Sequence, residues 1–415
     1  MSASEKLAID GGTPAVPANS MGRRLIGPQE RQAVLDLLDR AIAEGKAFDR
    51  YGGQEVDAYE KAFAAWLGLK YATAVSSGTA AVHTALAALH LEPGTEVICS
   101  PITDPGAVMP VVCSLCVPVF ADTSPESFNC DPESIEQAVT DHTGAIVLGH
   151  IAGEPCQVAR IAEIARRRGI PLIEDCAQAH GATYDGRPVG TFGTMAAFSL
   201  MSGKHQTSGG QGGMVLTNDE GLYWDAKRFA DRGKPFNSDQ ATNLFMGLNY
   251  RMTELEAAIG RVQLRRLPEL LARRQRLADR LAGHLADSKV FTMGWMPAAA
   301  RSAYWFLRIR VRTERLDVDK SQVAAALSAE GVGAAPTYTS LIHVQKWFAE
   351  RRTFGSAGLP WSLPGARRID YVDCCPNAAR ALADHIICRF HESLDEQTID
   401  AMARAFAKVE RAYAR

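Results

Sequence analysis

The chain predicts an α/β fold: a large domain with a mainly parallel seven-stranded sheet wrapped by helices, then a small C-terminal α+β domain. Two observations predict it. Short apolar runs at 71–75, 96–99, 117–121, 144–149, 171–174, 195–200 and 213–217 alternate with stretches of helical apolar spacing, the rhythm of strands joined by helical crossovers. After Thr253 that rhythm stops, and one long helix dense in leucine and arginine leads into a shorter strand, helix, strand, helix series. The expected division is therefore 1–260 for the large domain with its N-terminal segment and 261–415 for the connecting helix and the small domain.

Residues 29–45 and 55–67 carry helical spacing, the second through Val56, Tyr59, Phe63 and Trp66, and should cap the sheet. Ala72-Thr73-Ala74-Val75 then runs into Ser76-Ser77-Gly78-Thr79-Ala80-Ala81 and a helical stretch to Leu91. A strand, a turn of small residues and a helix start leave backbone N–H groups and hydroxyls free for an anion, so this is a phosphate seat. Pro171-Leu172-Ile173 reads as a buried parallel strand. It ends in Glu174-Asp175-Cys176-Ala177-Gln178-Ala179-His180, at the carboxyl edge where open α/β sheets bind ligands. The next strand exits into Phe198-Ser199-Leu200-Met201-Ser202-Gly203-Lys204-His205 and the run Gly209-Gly210-Gln211-Gly212-Gly213.

Further on, Asp219-Glu220 opens a helix with negative charge at the positive end of its dipole. The polar 231–250 loop is expected to reach the site or a partner subunit. From 253 to 286 a connector helix carries Arg265, Arg266, Arg273 and Arg274, read as a solvated face. Tyr304 to Val311 and Ile386 to Phe390 have strand composition, 318–330 and 396–412 are helical, and 351–370 is a loop on the substrate side.

A lysine beside glycines is ordinarily a solvated loop charge. Lys204 sits at the exit of an apolar segment, where its ammonium can be desolvated and made nucleophilic toward a carbonyl carbon. Asp175 can hold a pyridine nitrogen protonated so that the ring accepts electrons, the partner expected of a pyridoxal 5'-phosphate (PLP) enzyme.

Phosphate turn, aspartate strand and lysine loop in this order resemble the fold-type I PLP enzymes, and within them the DegT/DnrJ/EryC1/StrS family of sugar aminotransferases. The resemblance covers most of the chain. Leu7-Ala8-Ile9-Asp10-Gly11-Gly12-Thr13-Pro14 is similar to the family's opening segment, and Phe48-Asp49-Arg50-Tyr51-Gly52 to the segment that enters the site. Glu174 to Ala182 matches an EDxAQAHGA strand end, and Ser199 to Lys204 has the Schiff-base spacing. Gly247 to Leu264 is similar to a GxNxRMxxxxAAxxxxQL helix, and Cys375-Pro376-Asn377 to a late CPN motif.

The resemblance implies roles. Lys204 would hold the cofactor as a Schiff base and then move protons as acid and base, and Asp175 would pair with the pyridinium nitrogen. Gln178 would bond the ring's phenolic oxygen, Gly78, Thr79 and Ser199 would bind phosphate, and Asn249 would reach the phosphate of a neighbouring subunit across a homodimer. Tyr51, His180, His205 and Tyr338 would lie toward substrate. The implied reaction is a ping-pong transfer of an amino group from glutamate or glutamine to a keto-sugar or keto-cyclitol. Alternatives are a same-fold PLP dehydratase, lyase or decarboxylase, or a PLP-binding regulatory protein.

The departures are local. Pro101-Ile102-Thr103-Asp104-Pro105-Gly106 places Asp104 where most members carry an aromatic residue, so ring stacking from there is lost. The usual GEGG is Gly210-Gln211-Gly212-Gly213, with a charge replaced by a neutral residue. His205 after the lysine is unusual: a backbone group satisfies its imidazole, or it meets substrate. ITDPG with SGKH and GGQGG is also similar to a subgroup that aminates keto-octulosonic acids.

Composition excludes other classes. A formal net charge of −2 over 415 residues with interspersed signs offers no face for a polyanion. No run reaches membrane-spanning length and no signal peptide is evident, so a cytoplasmic protein is expected. Nine cysteines are an odd number, and Cys99, Cys113, Cys116 and Cys130 lie in apolar runs as free core thiols do. Cys113 and Cys116 have CxxC spacing but no second pair, so no metal is expected. Phe198 stands where a phosphate-cradling P-loop ending at Lys204 would need glycine.

Overall fold

The computed structural model describes residues 5–18 and 20–415. Its large sheet has the seven expected strands: β1 (Tyr71–Val75), β2 (Glu96–Cys99), β3 (Val117–Phe120), β4 (Thr143–Gly149), β5 (Leu172–Asp175), β6 (Met195–Ser199) and β7 (Gly213–Thr217). Their spatial order is β1-β7-β6-β5-β4-β2-β3, and only β7 runs antiparallel to its neighbours.

Both faces of this sheet are covered, as the nearly unbroken apolar strands require. Val97, Ala145, Val147 and Ile173 face one side, with the helix Gly78–Ala87. Ile98, Ile146, Leu148 and Leu172 face the other with the helix Val158–Arg168, and Ala72, Ala74, Phe198 and Met214 meet the helix Gly53–Leu67 there. Because β1, β5 and β6 share one direction and β7 opposes them, three chain ends meet at one edge. Val75 and Ser199 both stand in register with Gly213, and Asp175 pairs with Ala197.

Helix starts are set by local chemistry. Ser77 accepts from the Ala80 N–H and Asp219 from the Leu222 N–H, each cap being worth about 1 kcal/mol. The long helix Glu254–Leu285 begins with a reciprocal Thr253–Glu256 capping box.

The second sheet is antiparallel, formed by Phe291–Met293, Leu307–Val311, His385–Cys388 and Ala334–Ala335 in that order. The helices Lys320–Ala329 and Glu396–Tyr413 close its core over Phe291, Leu307, Ile309 and Phe406. The strand expected from Tyr304 starts at Leu307, since Tyr304 has φ +50°, in the left-handed region. Packing also crosses the expected division at 260. Leu7 and Val16 join the core of the small sheet, while Ile342, Phe348 and Cys375 pack into the core of the large one.

Two expectations are corrected. The arginines of the long helix are a solvated face only in part, because that helix is sandwiched between the helices Pro28–Glu44 and Glu396–Tyr413. Arg274 is 1% exposed and paired with Glu392, and the half-buried Arg266 pairs with Glu30, while Arg265 and Arg273 are exposed, Arg273 donating to the Leu394 carbonyl. Cys113 is exposed rather than a core thiol, while Cys99, Cys116 and Cys130 are buried.

Candidate functional site

A cavity of about 260 Å³ opens at the carboxyl edge of the large sheet. The exit of β1 supplies Ser77, Gly78 and Thr79, the exit of β2 supplies Thr103 and Asp104, and β5 supplies Asp175 and Gln178. Beyond β6 come Ser199, Met201 and Lys204, and Gln211 enters just before β7. Five segments spread from residue 77 to residue 211 thus converge here because of the strand order.

The β1 turn is built for close approach. A Cβ on Gly78 would lie 2.6 Å from the Ser199 Cβ, and one on Gly213 would lie 2.1 Å from the Ser77 carbonyl oxygen. Only glycine lets the turn, the end of β6 and the start of β7 share this space. Ser77 serves the Ala80 N–H, so the N–H groups of Gly78 and Thr79, at the first two positions of the helix, are left to face a ligand.

Lys204 is 6% exposed. Burial brings its ammonium down to about 8, against the upward pull of Asp175 and Asp104. Its Nζ lies 3.7 Å from the centre of the Trp305 ring, whose Nε1 donates to the Gly203 carbonyl at 2.8 Å. Asp175 is shifted the opposite way. Withdrawal from water raises its carboxyl, while the Ala177 N–H, 3.0 Å from Oδ1, and the Lys204 charge oppose the rise. Gln178 is held at both ends: Oε1 accepts from the Ala152 N–H at 2.9 Å and Nε2 donates to the Tyr338 hydroxyl at 2.8 Å. Burial, and next the Asp104 charge, raise the Tyr338 hydroxyl, which stays protonated at neutral pH.

The expected residues divide into three groups. Lys204, Asp175, Gln178, Ser199, Gly78 and Thr79 line the cavity, and Tyr338 joins them through Gln178. His180 and His205 lie outside that lining, fully buried with ring centres 5.4 Å apart. His205 Nε2 is 3.0 Å from the Ala303 carbonyl, so the backbone-satisfied reading is the one the geometry supports. Burial first, and then nearby cations, bring His180 down to about 3 and His205 well below its usual range, so both are neutral. Tyr51 and Asn249 are outside the lining as well and exposed. The Tyr51 hydroxyl accepts from Lys234 Nζ at 3.2 Å, and Asn249 bridges to Asp231.

Sequence reasoning missed Trp305, taken as an ordinary strand residue. The only available signal was an aromatic cluster ahead of the strand. It also missed that Asp104 is held in place, its carboxylate accepting from the Gly106 N–H at 2.8 Å while remaining on the cavity wall.

Residues 29–402 match the model of the DegT/DnrJ/EryC1/StrS aminotransferase family. The chain belongs to this family. It is accordingly an aminotransferase, with the expected fold. It is 34% identical over 340 residues to GDP-perosamine synthase of Caulobacter vibrioides, covering 81% of this chain and 89% of that one. It is also 34% identical over 359 residues to L-glutamine:2-deoxy-scyllo-inosose aminotransferase of Streptomyces kanamyceticus, covering 81% and 82%. Among solved structures, an aminotransferase from Psychrobacter cryohalolentis superposes with a TM-score of 0.82 at 31% identity, covering 94% of this chain and 99% of that one. The ntda protein of Bacillus subtilis, solved with bound cofactor PMP, superposes with a TM-score of 0.78 at 25% identity, covering 96% and 85%. Within this DegT/DnrJ/EryC1/StrS member, the cavity at the sheet edge brings Lys204, Asp175 and the Ser77–Thr79 turn together.

Proposed function

We propose that this aminotransferase binds PLP in the 260 Å³ cavity and transfers an amino group from glutamate or glutamine to a keto-sugar or keto-cyclitol. The observation that carries the reading is a buried lysine, lowered to about 8, in one cavity with Asp175 and a glycine-lined helix N-terminus. The donor set fits the cofactor: the Gly78 and Thr79 N–H groups with the hydroxyls of Thr79 and Ser199 suit its phosphate, and the Asp175 carboxylate suits its ring nitrogen. When bound, PLP supplies a carbonyl carbon and an electron-accepting ring.

The protein's own part follows from its geometry. Lys204 near pH 8 is divided between ammonium and free amine, so it can attack a carbonyl and then accept or return a proton at Nζ. Asp175, fixed by the Ala177 N–H, would hold a proton on the ring nitrogen of the bound cofactor. Gln178, held on the cavity wall by Ala152 and Tyr338, would hydrogen-bond the ring's phenolic oxygen. Trp305 covers Lys204 and limits water there. Two relatives support the acceptor class, one by a perosamine and the other by an inosose, and the second names glutamine as donor.

Asn249 and Tyr51 are exposed away from the cavity wall of their own chain. We assign them to the site of a second copy, so that a homodimer shares its active sites. We place the enzyme in the cytoplasm; none of its nine cysteines forms a disulfide, and among the described residues no helix is long and apolar enough to cross a membrane.

The deciding experiment is the visible spectrum of the protein with PLP, for wild type and Lys204→Ala, before and after L-glutamate and L-glutamine. A band that needs Lys204 and is bleached by one donor establishes the half-reaction. Persistence of the band with both donors moves the reading to the lyase or regulatory alternatives. Turnover is then read with a GDP-linked keto-sugar, a keto-inosose and a keto-octulosonic acid.

A further inference from the structure

Two adjacent cysteines, Cys374 and Cys375, stand just before the helix Pro376–Asp384, facing His343 in the short turn Ile342–Val344. One ring nitrogen of His343 and both sulfurs lie within 4.8 Å of one another. The two Sγ atoms are 3.7 Å apart. That is far beyond a disulfide bond of about 2.05 Å, and it matches the sulfur–sulfur edge, about 3.8 Å, of a tetrahedral ion with two bonds of about 2.3 Å.

His343 is 7% exposed, and its Nδ1 has no hydrogen-bond partner. Buried polar atoms are ordinarily satisfied, and this imidazole, with one nitrogen unpartnered, shares its cluster with two thiols, donor types that soft divalent ions prefer. The cluster is also reachable. His343 and Cys375 line a cavity of about 850 Å³ whose wall carries Asp370 and Asp373. None of that cavity's lining residues lines the Lys204 cavity.

The cluster also joins two points of the chain. His343 and Cys374 bracket a strap with one four-residue helix, Lys346–Ala349, and no strand. This strap lies on β3, where the Phe120 ring meets His343, Phe348 and Tyr371 at 5.6, 5.3 and 5.9 Å.

We propose that His343, Cys374 and Cys375 bind one thiophilic metal ion of the Zn²⁺ class, which ties the two ends of the 343–375 strap together over β3. Both sulfurs bind as thiolates, and their two protons leave to solvent. A water or a carboxylate from the Asp370–Asp373 wall completes the fourth position. The site is structural and separate from amino transfer. Spacing along the sequence conceals it, because the histidine lies far from the cysteines and only the fold brings them together.

The test uses full-length protein, reduced and stripped of metal, titrated with Co²⁺ as the spectroscopic probe and then with Zn²⁺. The expected result is one equivalent of Co²⁺ with an intense sulfur-to-cobalt band that Zn²⁺ displaces. Cys374→Ser and His343→Gln, each checked for a wild-type circular dichroism spectrum, should weaken Co²⁺ binding by more than about 100-fold. Cys113→Ser, which alters the exposed thiol, should leave binding unchanged. The proposal is overturned if folded, reduced wild type gives no band, or if the band survives both substitutions.

Discussion

Lys204 and Arg274 are both cations withdrawn from water, and they are treated in opposite ways. Lys204 has a ring above it and carboxylates near it, but no ion-pair partner within 4.0 Å among the described residues. Arg274 is filled on every side. Its Nε donates to Glu392 at 2.8 Å, and its NH1 donates to the Tyr304 carbonyl at 2.6 Å and the Phe390 carbonyl at 3.2 Å. Arg23 reaches the same carboxylate at 2.9 Å and the His205 carbonyl at 3.2 Å. The saturated cluster therefore grips the backbone on both sides of the unsaturated one: His205 follows Lys204, and Tyr304 precedes the Trp305 that covers it. One buried charge is satisfied so that the other can be held in place unsatisfied.

The largest expected effect comes from removing the reactive cation. Lys204→Met should lower amino transfer by at least about 10³-fold and yet stabilise the cofactor-free protein. The sign follows from linkage. The folded value, about 8, lies below the ordinary 10.5, so the native state bears the full cost of a buried ammonium below pH 8 and sheds it as pH rises toward 10.5. That cost is up to about 3 kcal/mol. Denaturant unfolding should show the variant more stable at pH 7, with the difference shrinking by pH 10. Equal stability at pH 7 would mean that Lys204 is as well satisfied as Arg274, and the contrast would fail.

Arg274→Met should act in the other direction, destabilising by roughly 3–5 kcal/mol because Glu392 is left buried with a single partner. Burial raises the Glu392 carboxyl, but Arg274 and Arg23 outweigh it and hold it below its ordinary 4.5. Its contribution to stability is thus present above about pH 4.5 and lost as pH falls through the lower folded value. Glu392→Gln should flatten the acid limb of the stability curve, measured as unfolding midpoint against pH. An unchanged limb would assign acid sensitivity to other carboxylates.

A third, smaller effect separates the chemistry from the scaffold. The rate at which PLP develops its Lys204-dependent absorbance should rise with pH through about 8, since only the free amine attacks. A rise centred near 10.5 would show Lys204 to be solvated in the cofactor-free state.

Much of this arrangement was legible in the sequence. All seven strands of the large sheet, the turn at Ser77–Thr79, Asp175 at a strand end and Lys204 at another follow from apolar runs and from the small or charged residues that end them. Arg274 was not legible, because an arginine on a leucine-rich helix looks the same whether its face meets water or a buried carboxylate, and Glu392 lies 118 positions away. His180 and His205 were drawn toward substrate by their neighbours in sequence. Side chains close in sequence to cavity-lining residues can equally point into the protein, and both do. Trp305 was hidden for the same reason as Glu392: its meeting with Lys204 is made by the left-handed turn at Tyr304, which no periodicity announces.

The finest test of the contrast is Trp305→Phe. The substitution keeps a ring near Lys204 but removes the Nε1 donor to the Gly203 carbonyl and weakens the electrostatic attraction for the ammonium, since indole is the stronger cation partner. The hydrogen bond and the lost cation–π difference are each worth about 1 kcal/mol or less. The charged form of Lys204 loses support, so the pH midpoint of PLP loading should move lower, by about half a unit. Global stability should change by less than for Arg274→Met. A midpoint that moves up instead would show that Trp305 acts on Lys204 mainly by excluding water, because opening the cover would then ease solvation of the ammonium more than losing the indole weakens it.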